Sequence, residues 1–244
     1  MYGSIFLACA LGALVASCGG SSDSGGTTGA SSPSDAGSTL SDSAATSPPA
    51  SVHFTGNAWA DNWFALYTGD RLIAEDSVPI TTERSFNAET FSFDATYPFT
   101  LAFVLKDFKE NDTGLEYIGK TNQQIGDGGF VFQLRESTSQ SLVIVSNEAW
   151  RCTSVQKAPL NPSCEKDSTP SATCLFSNLP EPTGWKNATF DDSSWPAASL
   201  FTAAEVGPKD GYTTIAWDAS ARFIWSSDLK LDNTVLCRVT VAGP

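Results

Sequence analysis

Apolar residues in this chain return at every second position. Over residues 90–95, Phe91, Phe93 and Ala95 alternate with Ser92 and Asp94. Successive side chains of an extended strand point to opposite faces, so such a run carries one apolar face that must be covered. Residues 129–135 repeat the pattern with Phe130, Phe132 and Leu134 in phase, and 234–241 repeat it with Val235, Cys237, Val239 and Val241. The runs 63–67 and 99–105 are apolar on both faces, and 142–145 is a further short run. No stretch of helical length repeats apolar residues at spacings of three and four. The pattern predicts an all-β fold, an antiparallel β-sandwich in which two sheets cover each other's apolar faces.

The least ambiguous segment is 60–76. Arg71-Leu72-Ile73-Ala74-Glu75 answers Trp63-Phe64-Ala65-Leu66-Tyr67 across Thr68-Gly69-Asp70. Two apolar runs around a Gly-containing turn form a β-hairpin.

The first 50 residues have a different composition. Residues 5–16 (IFLACALGALVA) are too short to span a bilayer permanently, but have the length of a signal-peptide core. Leu14-Val15-Ala16-Ser17-Cys18-Gly19 resembles the bacterial lipobox. The resemblance implies cleavage before Cys18 and lipidation of its thiol, with an ordinary secretory signal and a chance cysteine as the alternative; Gly19 rather than Asp implies outer-membrane sorting in a Gram-negative cell. Residues 19–50 are almost entirely Ser, Gly, Thr, Ala, Asp and Pro. They have nothing to bury against the entropy of ordering, so a flexible tether with a span of roughly 30 Å is expected. The expected organisation is a leader (1–17), a lipidated cysteine with its linker (18–50) and one domain (51–244).

Acidic residues number 27 against 14 basic ones, for a net charge of −13. That balance repels nucleic-acid phosphates and anionic head groups, which excludes a nucleic-acid partner and leaves the lipid anchor as the only membrane contact. Of the 6 cysteines, Cys152, Cys164, Cys174 and Cys237 lie in the body. An even number in an exported chain predicts disulfides rather than free thiols. The short loop favours Cys164 with Cys174, which leaves Cys152 for Cys237. The C-x-x-C pairs of a structural zinc site are missing.

Three pieces, in order, are similar to parts of galactose-binding-like jelly rolls, the accessory modules of α-rhamnosidases and β-galactosidases. The first is Asp61-Asn62-Trp63-Phe64-Ala65-Leu66-Tyr67-Thr68-Gly69-Asp70-Arg71-Leu72. The second joins Asp127-Gly128-Gly129-Phe130 to Ser146-Asn147-Glu148-Ala149-Trp150. The third pairs Phe190-Asp191-Asp192-Ser193-Ser194-Trp195-Pro196 with Ala221-Arg222-Phe223-Ile224-Trp225. The resemblance implies a jelly roll that binds sugars or other cell-surface ligands, and it brings no catalytic residues. By local chemistry alone, Asp191 to Ser194 form an Asx or Ser turn with Phe190 and Trp195 anchored beneath it.

His53 is the only histidine, and neither a G-x-S-x-G elbow nor an H-E-x-x-H helix accompanies it. A structural histidine is expected. Residues 106–120 form a polar insertion longer than a hairpin needs, and loops of that mix hold ligands: amides, carboxylates and Lys bond to hydroxyls while an aromatic stacks. The expected binding rim is Trp59, Asp61, Asn62, Lys106, Asp107, Glu110, Asn111 and Tyr117, with carbohydrate or a cell-surface glycan as partner. No cofactor is expected, with Ca²⁺ kept as an option. Asp107, Glu110, Asn111, Asp112 and Glu116 offer oxygens to Ca²⁺ but lack D-x-D-x-D-G spacing. The sequence thus reads as an exported, tethered, non-catalytic carbohydrate-binding module, with a structural or protein-contact envelope lipoprotein as the alternative.

Overall fold

Each alternating run is a strand in the structure, a computed structural model that describes residues 50–81 and 87–244. The leader, Cys18 and nearly all of the expected tether lie outside the described residues. In chain order the strands are β1 (Val52–Asp61), β2 (Trp63–Thr68), β3 (Arg71–Glu75), β4 (Ala88–Ala95), β5 (Phe99–Lys106), β6 (Leu115–Glu116) and β7 (Gln124–Ile125). They continue as β8 (Gly129–Glu136), β9 (Leu142–Val145), β10 (Arg151–Lys157), β11 (Ser177–Asn178), β12 (Ser199–Phe201), β13 (Phe223–Trp225) and β14 (Asp232–Val241).

One 6-stranded sheet runs β12-β13-β8-β1-β4, with β9 also paired to β8. The other 6-stranded sheet runs β11-β10-β14-β5-β2-β3, and β6-β7 is a separate short ribbon. Every pairing between these strands is antiparallel. The expected sandwich is therefore present, and its core is where the alternation placed it. Phe54, Phe93, Phe130, Phe132 and Leu134 of the first sheet face Phe64, Leu101, Phe103, Leu105 and Cys237 of the second. Phe103 joins the layers: its ring centroid lies 4.9 Å from Phe130, 5.1 Å from Phe132 and 5.5 Å from Trp150. Burying one such ring contributes about 2–3 kcal/mol.

The hairpin is β2–β3. Thr68 pairs with Arg71, so Gly69-Asp70 forms a two-residue turn, and Gly69 adopts φ 56°, a left-handed conformation that favours glycine. The inward positions of β1 are mostly small: Gly56, Ala58 and Ala60 follow Phe54. The lack of a side chain at Gly56 has a steric reason, since a Cβ there would stand 2.6 Å from the Phe91 ring.

The outer face of the second sheet is also covered. Trp185 and Trp195, with Phe190 beside them, pack on Ala102, Val104, Val155 and Leu236. The expected Asx turn is formed, with the Ser193 N–H donating to Asp191 Oδ1 at 3.0 Å. Arg238, 2% exposed, fastens this segment by donating to the Phe190 and Asn187 carbonyls and pairing with Asp192.

Both expected disulfides are present, Cys152–Cys237 and Cys164–Cys174. Cys152 and Cys237 are direct cross-strand partners on β10 and β14. The Cys164–Cys174 bridge lies among Leu115, Ile118 and Ile125, so the 106–120 insertion and the 160–174 excursion share a small core of their own. The bridges close loops with sequence separations of 85 and 10 residues. On loop-closure entropy, replacing Cys152 and Cys237 with Ala should cost about 4.5 kcal/mol, against about 3 kcal/mol for Cys164 and Cys174. Denaturant titration of the two double variants checks the order, and a larger loss from the 164/174 pair would contradict it.

Candidate functional site

At one end of the sandwich β1 stops at Asp61, and Asn62 leads the chain across into β2. The Asn62 N–H donates to the Lys106 carbonyl at 2.8 Å, and the Phe108 N–H donates to Asn62 Oδ1. These bonds hold the end of β1 against the end of β5. They bring Asp61 and Asp107, each 2% exposed, into one buried region with Glu116, which is 5% exposed. Asp127, just before β8, adds a further negative charge to it.

Burial raises the Asp61 carboxyl to about 8; the charges of Asp127 and Glu116 add to the rise and Lys209 opposes it. Asp107 is pushed well above the usual carboxylate range, first by burial and then by Asp61, Glu116 and Asp127. Neither carboxylate oxygen of Asp107 has a hydrogen-bond partner, nor has Asp61 Oδ2. The nearby Phe108 N–H, which opposes the rise at Asp107, is directed at Asn62 instead.

Asp232 shows how this fold keeps a buried acid charged. It accepts from Ser226 Oγ at 2.6 Å, the Ser227 N–H at 3.0 Å and the Asp228 N–H at 2.9 Å, and it pairs with Lys157 at 2.7 Å. Burial works to raise its pKa, but these partners outweigh it and leave the group below its ordinary value.

The expected rim is not one surface. Trp59 is fully buried on the outer face of the first sheet, packed edge-on to Tyr212 and Phe223, with its indole N–H on the Asp210 carbonyl. That ring has no face to offer a ligand. Lys106 lies over the Trp63 ring at 4.7 Å on the second sheet's outer face. Asp61, Asn62 and Asp107 are interior. Glu110 and Asn111 are exposed but tie down their own loop, accepting from the Ile118 and Thr113 N–H groups. Tyr117 is half-buried beside Lys120. Of the residues expected to offer oxygens to Ca²⁺, Asp112 is paired with Lys109 at 2.8 Å, and Asp107 and Glu116 are the ones in the buried acidic region. His53 is exposed and bonded through Nδ1 to Asp94 at 2.8 Å, as a structural histidine would be.

The outer face of the first sheet holds a surface that was not foreseen. Thr55, Asn57, Gln133 and Arg135 point outward from β1 and β8, and the 211–218 segment crosses them. Gln133 accepts from the Asp218 N–H at 2.7 Å and donates to the Ala216 carbonyl at 3.2 Å, while Arg135 pairs with Asp218 at 2.9 Å. Two cavities flank the segment. One, of about 240 Å³, is polar and lined by Asn57, Gln133, Arg135, Gln140 and Thr214. The other, of about 260 Å³, is lined by Phe201, Tyr212, Trp217, Arg222 and Phe223. Trp217 and Tyr212 are stacked at 5.9 Å, and the indole N–H is held by the Tyr212 carbonyl. A larger cavity of about 460 Å³, between β9 and the C-terminal residues, has Tyr97 as its one aromatic. The sequence signal for the paired rings was a Tyr and a Trp five apart in a stretch rich in Gly, Thr and Asp.

Comparison of the chain with protein-family models, with curated proteins and with solved structures finds no match. The chemistry of the two regions therefore rests on their own residues. Among the described residues, no helix is long and apolar enough to cross a membrane.

The buried acids have a consequence for pH. Burial also lifts Asp76, to about 7, with Glu89 adding to the rise and the Val78 N–H and Asn87 opposing it. An acid whose folded-state pKa exceeds its unfolded value stabilises the fold while protonated. That contribution is complete below about pH 4 and is lost as pH rises through about 7 for Asp76 and about 8 for Asp61. In a chelating buffer the melting temperature should fall between about pH 5 and pH 8.5, and Asp61→Asn should flatten the upper part of that fall. A level profile in the parent chain would contradict the burial of these acids.

Proposed function

We propose that this protein is an exported, lipid-anchored, non-catalytic binding module whose ligand is a carbohydrate. The observation that carries the reading is the outer face of the first sheet. There, an aromatic-lined cavity with Tyr212, Trp217 and Arg222 adjoins a polar one with Asn57, Gln133 and Arg135. Sugars present apolar C–H faces to rings and hydroxyls to amides and guanidinium groups, so the two chemistries side by side suit a chain of sugar units. The galactose-binding-like resemblance in the sequence points the same way. The leader and lipobox supply the anchor, and the acidic surface favours a neutral ligand over an anionic one.

Residues 19–244 titrated by calorimetry against a panel of soluble polysaccharides should bind at least one of them. Trp217→Ala should weaken that binding about tenfold or more in a chain that still folds, whereas Trp63→Ala on the opposite sheet should leave affinity intact. A flat response across the panel would reject the reading. In the producing bacterium, Cys18→Ser should move the protein from the membrane fraction to the soluble one, and retention in the membrane fraction would remove the lipid anchor.

A second reading, contact with another protein of the envelope, is favoured by one feature. Leu160, Leu175, Phe176 and Leu179 are all about half exposed or more, and 175–179 runs along the β11 edge of the second sheet. Cross-linking to a protein partner without any glycan response would select it.

A further inference from the structure

We infer that Arg222 selects the sugar in the aromatic cavity on the first sheet's outer face, its guanidinium donating to two adjacent hydroxyls of one neutral pyranose unit. The inference rests on the carbohydrate reading and adds to it which residue selects the unit and by what chemistry.

The first observation is a cation left without a partner. Among the described residues, Arg71, Arg151 and Arg238 donate to main-chain carbonyls, and Arg135 and Arg238 also pair with Asp218 and Asp192. Arg222 is exposed, and among those residues no group holds its guanidinium. The chain has 27 acidic residues to choose from. The acids on the segments that wall the cavity are engaged elsewhere: Glu205 accepts from the N–H and the hydroxyl of Thr202, and Asp218 pairs with Arg135.

The second observation is that the root of this side chain is fixed. The Arg222 N–H donates to the Ser146 carbonyl at 2.9 Å, and the Arg222 carbonyl accepts from Ser146 Oγ at 2.6 Å. Ser146 is fully buried, and Phe223, the next residue, begins β13 as part of the core. A rigid strand end thus presents an uncommitted head group.

The third observation is the company that head group keeps. Its cavity, about 260 Å³, is on the scale of one sugar ring and is walled by Phe201, Tyr212, Trp217 and Phe223. The Tyr212 and Trp217 rings lie within 16° of parallel. The Trp217 indole N–H is held by the Tyr212 carbonyl and the Thr202 hydroxyl by Glu205, so the charged donors of this cavity are those of Arg222. In the adjoining polar cavity, Gln133 already bonds Asn57, the Ala216 carbonyl and the Asp218 N–H.

The chemistry follows from the donor. A guanidinium is a flat fork of N–H groups with no acceptor, and neighbouring hydroxyl oxygens of a pyranose stand at a spacing such a fork can bridge. The C–H face of the same unit then rests against the rings. The net charge of −13 repels an anionic unit on approach, so the unit is neutral. A unit with both of these hydroxyls blocked is refused.

The test titrates the full chain, followed by NMR, with the methyl glycosides of glucose, galactose and mannose and with methyl glucuronide. At least one neutral glycoside should shift the Trp217 indole N–H signal saturably, and its fully O-methylated counterpart should not. Arg222→Gln should weaken that binding about tenfold or more, and Arg222→Lys, which keeps the charge without the fork, should recover little of it. Both variants should melt with the parent chain, because the Ser146 bonds reach only the backbone of Arg222. Affinity for the glycosides or for a bound polysaccharide that is unchanged in Arg222→Gln would overturn the inference. So would full recovery in Arg222→Lys, or a glucuronide bound about tenfold tighter than the glucoside, which would give Arg222 to a carboxylate. Polysaccharide binding that is lost in Trp217→Ala but kept in Arg222→Gln would sink this inference alone, whereas silence from polysaccharides and glycosides together would sink the carbohydrate reading with it.

Discussion

Two aromatic layers pressed together hold this protein in shape. Phe103 of β5 touches Phe130 and Phe132 of β8 and the Trp150 ring, and further phenylalanines extend the contact along the sandwich. Neither sheet can stand alone, because each would leave an apolar face in water. The chain passes repeatedly from one sheet to the other, so its connections tie the two layers together. The Cys152–Cys237 bridge, buried in the same core, ties β10 to β14 and limits the freedom of the unfolded chain.

With the core placed between the sheets, each outer face takes a separate role. The second sheet's outer face is closed by the tryptophan-bearing segment that Arg238 fastens down, a buried cation with carbonyls and Asp192 to receive it. On the first sheet, outward Gln133 and Arg135 do the fastening, and they hold a narrower segment that leaves cavities on both sides. A rigid sheet beneath a short crossing segment fixes polar and aromatic groups in place.

The treatment of buried charge separates two kinds of site. Asp232 and Arg238 are buried and provided for, so they serve the fold. Asp61 and Asp107 are buried without such provision, at the end where β1, β5 and the β6–β7 ribbon come together. Such an arrangement is stable when a proton neutralises it.

Alternation alone announced the sheets, because period two is imposed by strand geometry and survives in any sequence with one buried face. The hairpin turn at Gly69, the Asx turn at Asp191 and the favoured disulfide pairing were legible for the same reason: each depends on neighbours close in sequence or on simple loop length. Sequence spacing said little about which outward-facing residues would meet. Trp59 looked like a binding platform and became core because the 199–223 segment folds over it; Tyr212 and Trp217 pack on it and, half-buried, line the cavity instead. Asp61, Asp107, Glu116 and Asp127 were scattered among the many acids of the chain, and only strand register and the closure of one end of the sandwich brought them together. The sequence by itself determined that two apolar faces would be buried against each other, since every strand carries that demand locally. The tertiary structure decided which side chains share a site, since that depends on pairings between residues far apart along the chain.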